Sequence, residues 1–312
     1  MSNVNFDALL STTLANYRDQ LTDNVFSDRV LTNHLMTKGR IRMLNGGTKI
    51  VEPLIYGQNS TVASYSGYDS ISLTAQTGIT AAEYEWKQYA ASIAISGIEE
   101  AKNNGEQEII NLLEAKIMQA EESMREGFNT MFYADGTGNS SKDWNGLGNI
   151  IEASGTVGNI NRGTVGNEYW KSYEENTSAA LTLAQMATAY NTVSIGNDHP
   201  DLVLTTQTLF EKYEALLQPN LRYTDTKTAD SGFQNLLFKA APVVFDAACT
   251  PTTMYFMNSK YITLVGHSGK WFQQTAFVRP EDLDARYALI MCYGNLTCRN
   301  AKKQGKLTAK TA

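Results

Sequence analysis

The residues in this chain that could carry out chemistry begin with a short glycine-rich run, Gly266–Lys270, which reads GHSGK. A serine nucleophile on a strained strand-to-helix turn needs glycines two residues before and two residues after it, and Lys270 stands at the second of these positions. A phosphate-binding loop would need a glycine at position 264 and a serine or threonine at position 271, where Leu264 and Trp271 stand instead. The run therefore indicates a polar turn between strands.

Other acidic and histidine residues fit ordinary structural roles. Asp135 opens the run DGTG, which lacks the Asp-Thr-Gly order of an aspartic protease loop. Asp198 and His199 are adjacent in a turn before a strand, where neighbouring side chains seldom converge on one substrate. Glu121 and Glu122 lie on the polar face of a predicted helix. The sequence therefore predicts no catalytic site, no metal site and no cofactor.

Composition narrows the class of protein further. The chain has 312 residues, of which 42% are hydrophobic and 19% charged, with a formal net charge of −6. This composition is globular, and the negative charge argues against a protein that grips nucleic acid over its whole surface. No apolar run reaches the roughly 18 residues that a membrane span requires, and no signal peptide is predicted. Cys249, Cys292 and Cys298 form no C-x-x-C pair, so we expect reduced thiols in a cytosolic compartment.

The elements that would position any functional side chain begin with an N-terminal arm, residues 1–50. Apolar residues recur at helical spacing from Phe6 through Tyr17 to Leu21. A second short helix is predicted to end at Lys38 and Gly39, a cation followed by a residue that tolerates positive φ. These helices are too short to bury their apolar faces alone, so we expect the arm to contact other copies of the chain.

Residues 51–97 predict an extended hairpin, with two long antiparallel strands joined by a loose tip. The segment is poor in charge and rich in serine, threonine, tyrosine and glycine. A hairpin of this length is marginal by itself, so its partner surface is expected on another subunit. The aromatic residues of the hairpin and the arm are the predicted assembly contacts: Tyr65, Tyr68, Tyr84, Trp86, Phe6 and Tyr17.

A long amphipathic helix is predicted over residues 104–132, where apolar residues are spaced three or four apart in one stripe. It belongs to a predicted domain of residues 98–178 and 270–300, which includes a last strand at 286–297. Residues 179–269 alternate helix and strand and predict an α/β domain. Residues 301–312 predict a basic, mobile tail, in which Lys302, Lys303 and Lys306 either face DNA phosphates or are simply solvated.

The order of these parts, more than any single motif, resembles the Hong Kong 97-type major capsid proteins of tailed bacteriophages. The resembling pieces are DGTG at 135–138, WNGLGNI at 144–150, TQTLF at 206–210, APVVF at 241–245 and VRPED at 278–282. The resemblance covers nearly the whole chain and implies an α+β fold with an N-arm and an E-loop hairpin. It also implies that residues 98–178 and 270–300 are the peripheral domain, which contains the spine helix, and that residues 179–269 are the axial domain. It also implies hexamers and pentamers in an icosahedral shell around double-stranded DNA, a structural and non-enzymatic role.

The resemblance further implies a location in the virion and assembly in the host cytoplasm. It also implies a portal as partner, weak contact with the packaged DNA and, in some relatives, a decoration protein. Some relatives cross-link subunits through an E-loop lysine, but no lysine lies between Val51 and Trp86. Only some fifty residues precede the hairpin, so scaffolding is expected from a separate protein or not at all. Two alternatives stay open: an encapsulin-like nanocompartment shell, and an α/β hydrolase.

Overall fold

The computed structural model describes residues 29–102, 106–217 and 235–312. The predicted contacts Phe6 and Tyr17 lie outside the described residues. The first described helix, α1, spans Val30–Thr37. The described chain combines two large sheets and three two-stranded ones with a long helix, which agrees with the predicted α+β class. None of the helices in these ranges is long and apolar enough to cross a membrane.

The long helix, α3, spans Glu106–Tyr133 and follows a short helix, α2, at Gly97–Lys102. The prediction of a helix over 104–132 is confirmed. Its stripe forms because residues three or four apart share one face, and the stripe is buried at Ile117, Ala120, Met124, Phe128 and Met131. The helix is therefore one wall of the main core.

The first sheet contains a strand of fourteen residues, β15, at Ala285–Cys298, which confirms the predicted last strand. β15 pairs antiparallel with β4 along its first ten residues and with β13 along its last five. The other members have between two and ten residues. The strands around β15 are β1 (Ile41–Leu44), β4 (Lys87–Ser96), β13 (Ile262–His267) and β14 (Gln273–Gln274).

The hairpin is shorter than predicted. It consists of β2, Ile50–Ile55, and β3, Ile79–Tyr84, paired antiparallel. The prediction that the second strand continues to residue 97 is wrong, because β4 pairs with β15 instead. The physical reason lies in Ile93 and Ile95, which alternate along β4 and are buried in the main core. An inward apolar face of this kind is stable only against a packed layer.

The second sheet contains the strands predicted for the axial part up to Met257, together with two strands from outside the predicted bounds of 179–269. Helices α5, Leu183–Val193, and α6, Gln207–Leu216, pack beside it, and Thr182 caps α5 in a reciprocal bond with Gln185. Within this sheet and its helices, the alternation of helix and strand predicted for 179–269 is confirmed from Leu183 to Met257. Its strands, in spatial order, are β10 (Asn235–Phe238), β11 (Ala241–Phe245), β9 (Leu202–Thr205), β12 (Met254–Met257), β16 (Gly305–Leu307) and β7 (Tyr173–Glu175).

The prediction of a mobile C-terminal tail is wrong. β16 lies between β12 and β7 in the second sheet, and β17, Lys310–Thr311, pairs with β8, Ala179–Ala180. A strand inside a sheet satisfies its backbone groups on both sides. The basic composition of residues 301–312 was therefore misleading, because lysines can form ion pairs with carboxylates on neighbouring strands within the fold.

A glycine-rich region connects the two sheets. Helix α4, Leu147–Ile150, is followed by a small hairpin of β5, Thr156–Val157, and β6, Ile160–Asn161. Trp144 and Trp170 are buried on either side of it in the main core, so the region is packed although its sequence resembles a loop.

Candidate assembly surfaces

The most unusual surface is the loop between β2 and β3, residues 56–78. Every residue from 62 to 77 is exposed. The loop nevertheless carries large apolar side chains, including Leu73 at 93% and Tyr65 at 67% exposure, and Tyr68 is also fully exposed. A contiguous set of exposed apolar side chains is typical of an interaction surface. The two predicted contacts Tyr65 and Tyr68 therefore lie where a partner could reach them.

The neck of this loop is closed by two glycines. The backbone N–H groups of Tyr56 and Gly57 both donate to the carbonyl oxygen of Gly78, at 2.9 and 3.3 Å. A Cβ atom at Gly78 would lie 2.9 Å from the carbonyl oxygen of Gly57, which is closer than real Cβ atoms approach. The two strands therefore meet tightly at the base, and the loop projects beyond it.

The hairpin itself has two apolar faces. Ile50 and Leu54 point into the main core with Ala82, whereas Ile55 and Ile79, which are direct cross-strand partners, are 84% and 76% exposed. Alternate residues of a strand point to opposite sides, so only one side is covered by the described chain. The outer side offers a second apolar surface that a partner could bury.

The structure does not place Tyr84 and Trp86 on an open surface. Tyr84 is 2% exposed, its hydroxyl donates to the carbonyl oxygen of Cys298 at 2.9 Å, and burial raises its pKa well above the usual value. The prediction of Tyr84 as an assembly contact is therefore wrong, because it is a core side chain. The indole N–H of Trp86 donates to the Gly47 carbonyl at 2.8 Å. Trp86 is half-buried, and its contact with a neighbour stays a prediction.

A buried carboxylate fixes the hairpin to the body. Glu52 on β2 is fully buried and forms ion pairs with Arg42 on β1 and with Arg299 just after β15, the latter at 2.6 Å. The hydroxyl of Thr297 also donates to it, at 3.3 Å. Three elements thus converge on one side chain. Sequence reasoning missed it, although Glu52 stands between Ile50 and Leu54 at an inward strand position.

A second missed residue organises the glycine-rich region. Arg162 is fully buried, and burial lowers the pKa of its guanidinium. It donates to four main-chain carbonyls at 2.6–3.2 Å, those of Trp170, Asn149, Ser154 and Ile150. Loops must satisfy their buried carbonyls, and one arginine does so here for segments on both sides of β5 and β6.

The basic residues near the C-terminus are mostly paired with carboxylates. Lys303 and Lys306 are buried beside Asp198 and Glu174, at 3.8 and 3.3 Å. Burial lowers the pKa of Lys303, although the Asp198 charge opposes this. The prediction that Lys303 and Lys306 face DNA is therefore wrong, because their charges are neutralised inside the fold. Lys302 is exposed, so its contact with DNA stays a prediction.

One arrangement contains the residue types of a hydrolase but not their order. Asp201 accepts from the hydroxyl of Ser259 and lies 3.3 Å from Nε2 of His34. The carboxylate thus stands between serine and histidine, whereas a triad needs the histidine to contact the serine directly. Ser268, in the GHSGK run, donates to the side chain of Asn45 at 2.7 Å. The run comprises the last two residues of β13 and the turn that follows them, which agrees with the predicted turn between strands.

Titratable clusters elsewhere are small. Within residues 29–102, 106–217 and 235–312 no group of three or more His, Cys, Asp or Glu side chains could hold a metal ion. Cys249, Cys292 and Cys298 are all free and buried. Burial raises the pKa of the Cys298 thiol to about 12, so this thiol stays neutral near pH 7.

Comparisons with known proteins agree with this geometry. No protein-family profile matches the chain, and no curated protein matches it in sequence. Among solved structures it resembles the capsid of cyanophage A-1(L), with a TM-score of 0.63, 15% identity, and 88% of this chain and 91% of that chain covered. It also resembles the capsid of a native GTA particle, with a TM-score of 0.59 at 11% identity, covering 88% and 89%.

A third similar structure is the holo-SrpI encapsulin complex from Synechococcus elongatus PCC 7942, with a TM-score of 0.52, 10% identity, and coverage of 88% and 87%. At such low identities the likeness establishes the fold. The chain has the Hong Kong 97-type capsid fold over most of its length, and the predicted fold is confirmed.

Proposed function

We propose that this chain is the structural subunit of a closed protein shell. The observation that carries the proposal is the loop between β2 and β3, where sixteen consecutive residues are exposed and include Val62, Tyr65, Tyr68, Ile71 and Leu73. A monomer gains nothing from holding such residues in water, because burying each would contribute about 1.5–3 kcal/mol. A neighbouring copy would bury them, and the capsid fold supplies a purpose for that contact.

The particle we propose is the icosahedral capsid of a tailed bacteriophage. In it the subunits form hexamers and pentamers around double-stranded DNA, assembled in the host cytoplasm with a separate scaffolding protein, a portal and in some cases a decoration protein. The phage-capsid likeness has the higher TM-score of the two shell classes, which supports this choice. The role is structural and requires no catalytic step from the subunit.

An encapsulin-like compartment is the second candidate, supported by the likeness to an encapsulin complex. The two candidates differ in what the shell encloses, protein cargo in one case and DNA in the other. The hydrolase alternative finds less support, because Asp201 separates Ser259 from His34.

Negative-stain electron microscopy and gel filtration of the expressed chain, alone and with the proteins encoded beside it, test the proposal. We expect closed shells, tubes or capsomers. A monodisperse monomer of 34.4 kDa under all assembly conditions would contradict any shell function. Nuclease-protected DNA inside shells from infected or induced cells distinguishes the phage capsid from the compartment, which would instead retain a protein cargo.

A further inference from the structure

Strand β15 separates two surfaces of opposite charge. A loop of residues 279–284 ends immediately before the strand, and Arg299 and Lys302 follow within four residues of its end. The fourteen residues of this strand span roughly 45 Å when extended. The loop is therefore too far away to reach the two cations of its own copy, and a contact between the two surfaces would join two copies of the chain.

The surface after β15 is a small cavity of about 200 Å³ beside the base of the hairpin. Ile55 and the stacked rings of Tyr56 and Tyr169, whose centroids are 4.7 Å apart, provide apolar walls. Arg299 and Lys302 also line the cavity, and none of its lining residues is a carboxylate. The volume lies below the roughly 300 Å³ at which sites for small molecules begin, so the cavity suits the side chains of a protein loop.

This cavity has an excess of positive charge. Arg299 is bound to Glu52 at 2.6 Å, but the same carboxylate also pairs with Arg42, so two guanidinium groups share one negative charge. Lys302 is exposed and forms no ion pair with any residue that the structure describes. An acidic occupant would therefore complement the cavity in charge.

The loop 279–284, which reads RPEDLD, has the complementary character. It contains three carboxylates and one arginine, so its net charge is −2. Glu281 and Asp282 are exposed, and the apolar side chain of Leu283 beside them is 63% exposed. The loop thus offers negative charge and an apolar side chain together, as the cavity offers positive charge and apolar walls.

The same loop is held firmly at its base. Val278 and Tyr287 exchange two backbone hydrogen bonds of 3.0 Å on either side of it. The Asp284 carbonyl accepts from the backbone N–H of Gly97 at 2.8 Å, and the Asp284 carboxylate pairs with Arg279 across the loop. A loop that is fixed before it binds loses less conformational entropy on binding, which favours the contact.

We infer that the loop 279–284 of one copy docks into the cavity at Arg299 and Lys302 of a second copy. This inference rests on the proposed shell function and names a contact that does not involve the exposed residues 62–77. The two surfaces differ and lie at opposite ends of one strand, so the contact is head-to-tail. Repeated head-to-tail contacts close into rings, and the proposed hexamers and pentamers are rings of this kind.

Charge exchange tests the pairing. Lys302→Glu, Glu281→Lys and Asp282→Lys each place like charges together, so each should lower shell yield by about tenfold. Lys302→Glu combined with one of the two lysine substitutions should recover at least threefold of that loss. Lys142→Glu, at another exposed lysine, is the matched control and should assemble like the parent. Circular dichroism should match the parent for every variant, because all four positions are exposed.

Chemical cross-linking provides an independent measurement. A carbodiimide joins an amine to a carboxylate in direct contact, so mass spectrometry of treated parent shells should find a peptide that links Lys302 to residues 281–284. Shells assembled from isotope-labelled and unlabelled chains show that the link joins two copies. Lys302→Arg keeps the charge but lacks the amine, so its shells should form normally and lack this peptide.

Three outcomes would overturn the inference while leaving the shell function intact. The first is parent yield from Lys302→Glu with no Lys302 cross-link in parent shells. The second is a loss of yield that neither charge exchange recovers, again without the cross-link. The third is parent yield from Lys302→Glu with less DNA retained in the shells, which would show that Lys302 faces DNA. Failure of the parent chain to form shells would count against both the inference and the proposed function.

Discussion

The sharpest test of how the hairpin is held is substitution of Glu52. This carboxylate accepts from Arg42, Arg299 and Thr297 and has no exposed surface. Breaking a fully buried ion pair by removing one partner costs about 3–5 kcal/mol, because the other charge is left without compensation. Glu52→Ala removes the partner of two charges at once, so the upper end of that range is the starting estimate.

Solvent access reduces the estimate. The side chains of Arg42 and Arg299 are 33% and 41% exposed, so both can regain water when the carboxylate is lost. Thr297 also keeps its bond to the Thr263 carbonyl at 3.0 Å. We therefore expect Glu52→Ala to lower the free energy of unfolding by about 2 kcal/mol. Glu52→Gln should lower the free energy of unfolding by a similar amount. The new amide has one oxygen and one NH2 group, so it must point a donor at one of the two arginines, which are donors themselves.

The assay is denaturant unfolding of unassembled subunits, followed by circular dichroism, with shell yield measured in parallel. Glu83→Gln is the matched control: it removes an exposed ion pair with Lys49 on the same hairpin and should leave the unfolding midpoint unchanged. If the Glu52 variants unfold at the same midpoint as Glu83→Gln, the buried cluster does not hold the hairpin and the reasoning is refuted.

Four further outcomes are expected. Deleting residues 60–76 keeps β2, β3 and the neck at Gly57 and Gly78, so the subunit should retain its circular dichroism spectrum but fail to close shells; normal assembly would show that the loop is dispensable. Mature shells boiled in denaturant and reductant should run as one band near 34 kDa, because the loop has no lysine and Lys49 at its base is paired with Glu83; a surviving ladder would contradict this. Arg162→Met should lower the unfolding free energy by at least about 3 kcal/mol, since four buried carbonyls lose their donor; a loss below 1 kcal/mol on the same scale would count against it. The three cysteines should not react with a thiol reagent in the native subunit, and raising the pH from 7 to 10 should not release Cys298, whose pKa is raised to about 12; fast native reaction would show that the core opens.

Much of the fold could be predicted because its signals are local. The stripe of α3 from Ile117 to Met131 and the capped helix Leu183–Val193 show the helical period within a few residues, and the strand Leu202–Thr205 is a short, fully buried run. The exposed loop was also predictable, since a segment with few aliphatic residues cannot build a core of its own.

The errors come from pairings between distant residues. β4 follows the hairpin directly in sequence, yet it pairs with β15 almost two hundred residues later because Ile93 and Ile95 need the long helix to cover them. Lys306 and Lys310 read as a solvated tail until Glu174 and Glu175 are placed beside them. The position of Glu52 in its strand predicts that its side chain points inward. Its two arginine partners could not be predicted, because they lie on other elements that come close only in the folded chain.

The distribution of hydrogen bonds explains how one subunit can be both stable and ready to assemble. Glu52 and the neck at Gly57 and Gly78 fix where the loop starts, while the backbone groups of residues 70–73 have no hydrogen-bond partner among the residues that the structure describes. Each loop must therefore lose conformational entropy when it meets a neighbour, which makes a single contact weak. Contacts repeated around a closed ring act together, so weak single contacts still give a stable shell. Weakness at the level of one contact also lets a misplaced subunit dissociate before the shell closes, which a strong preformed interface would prevent.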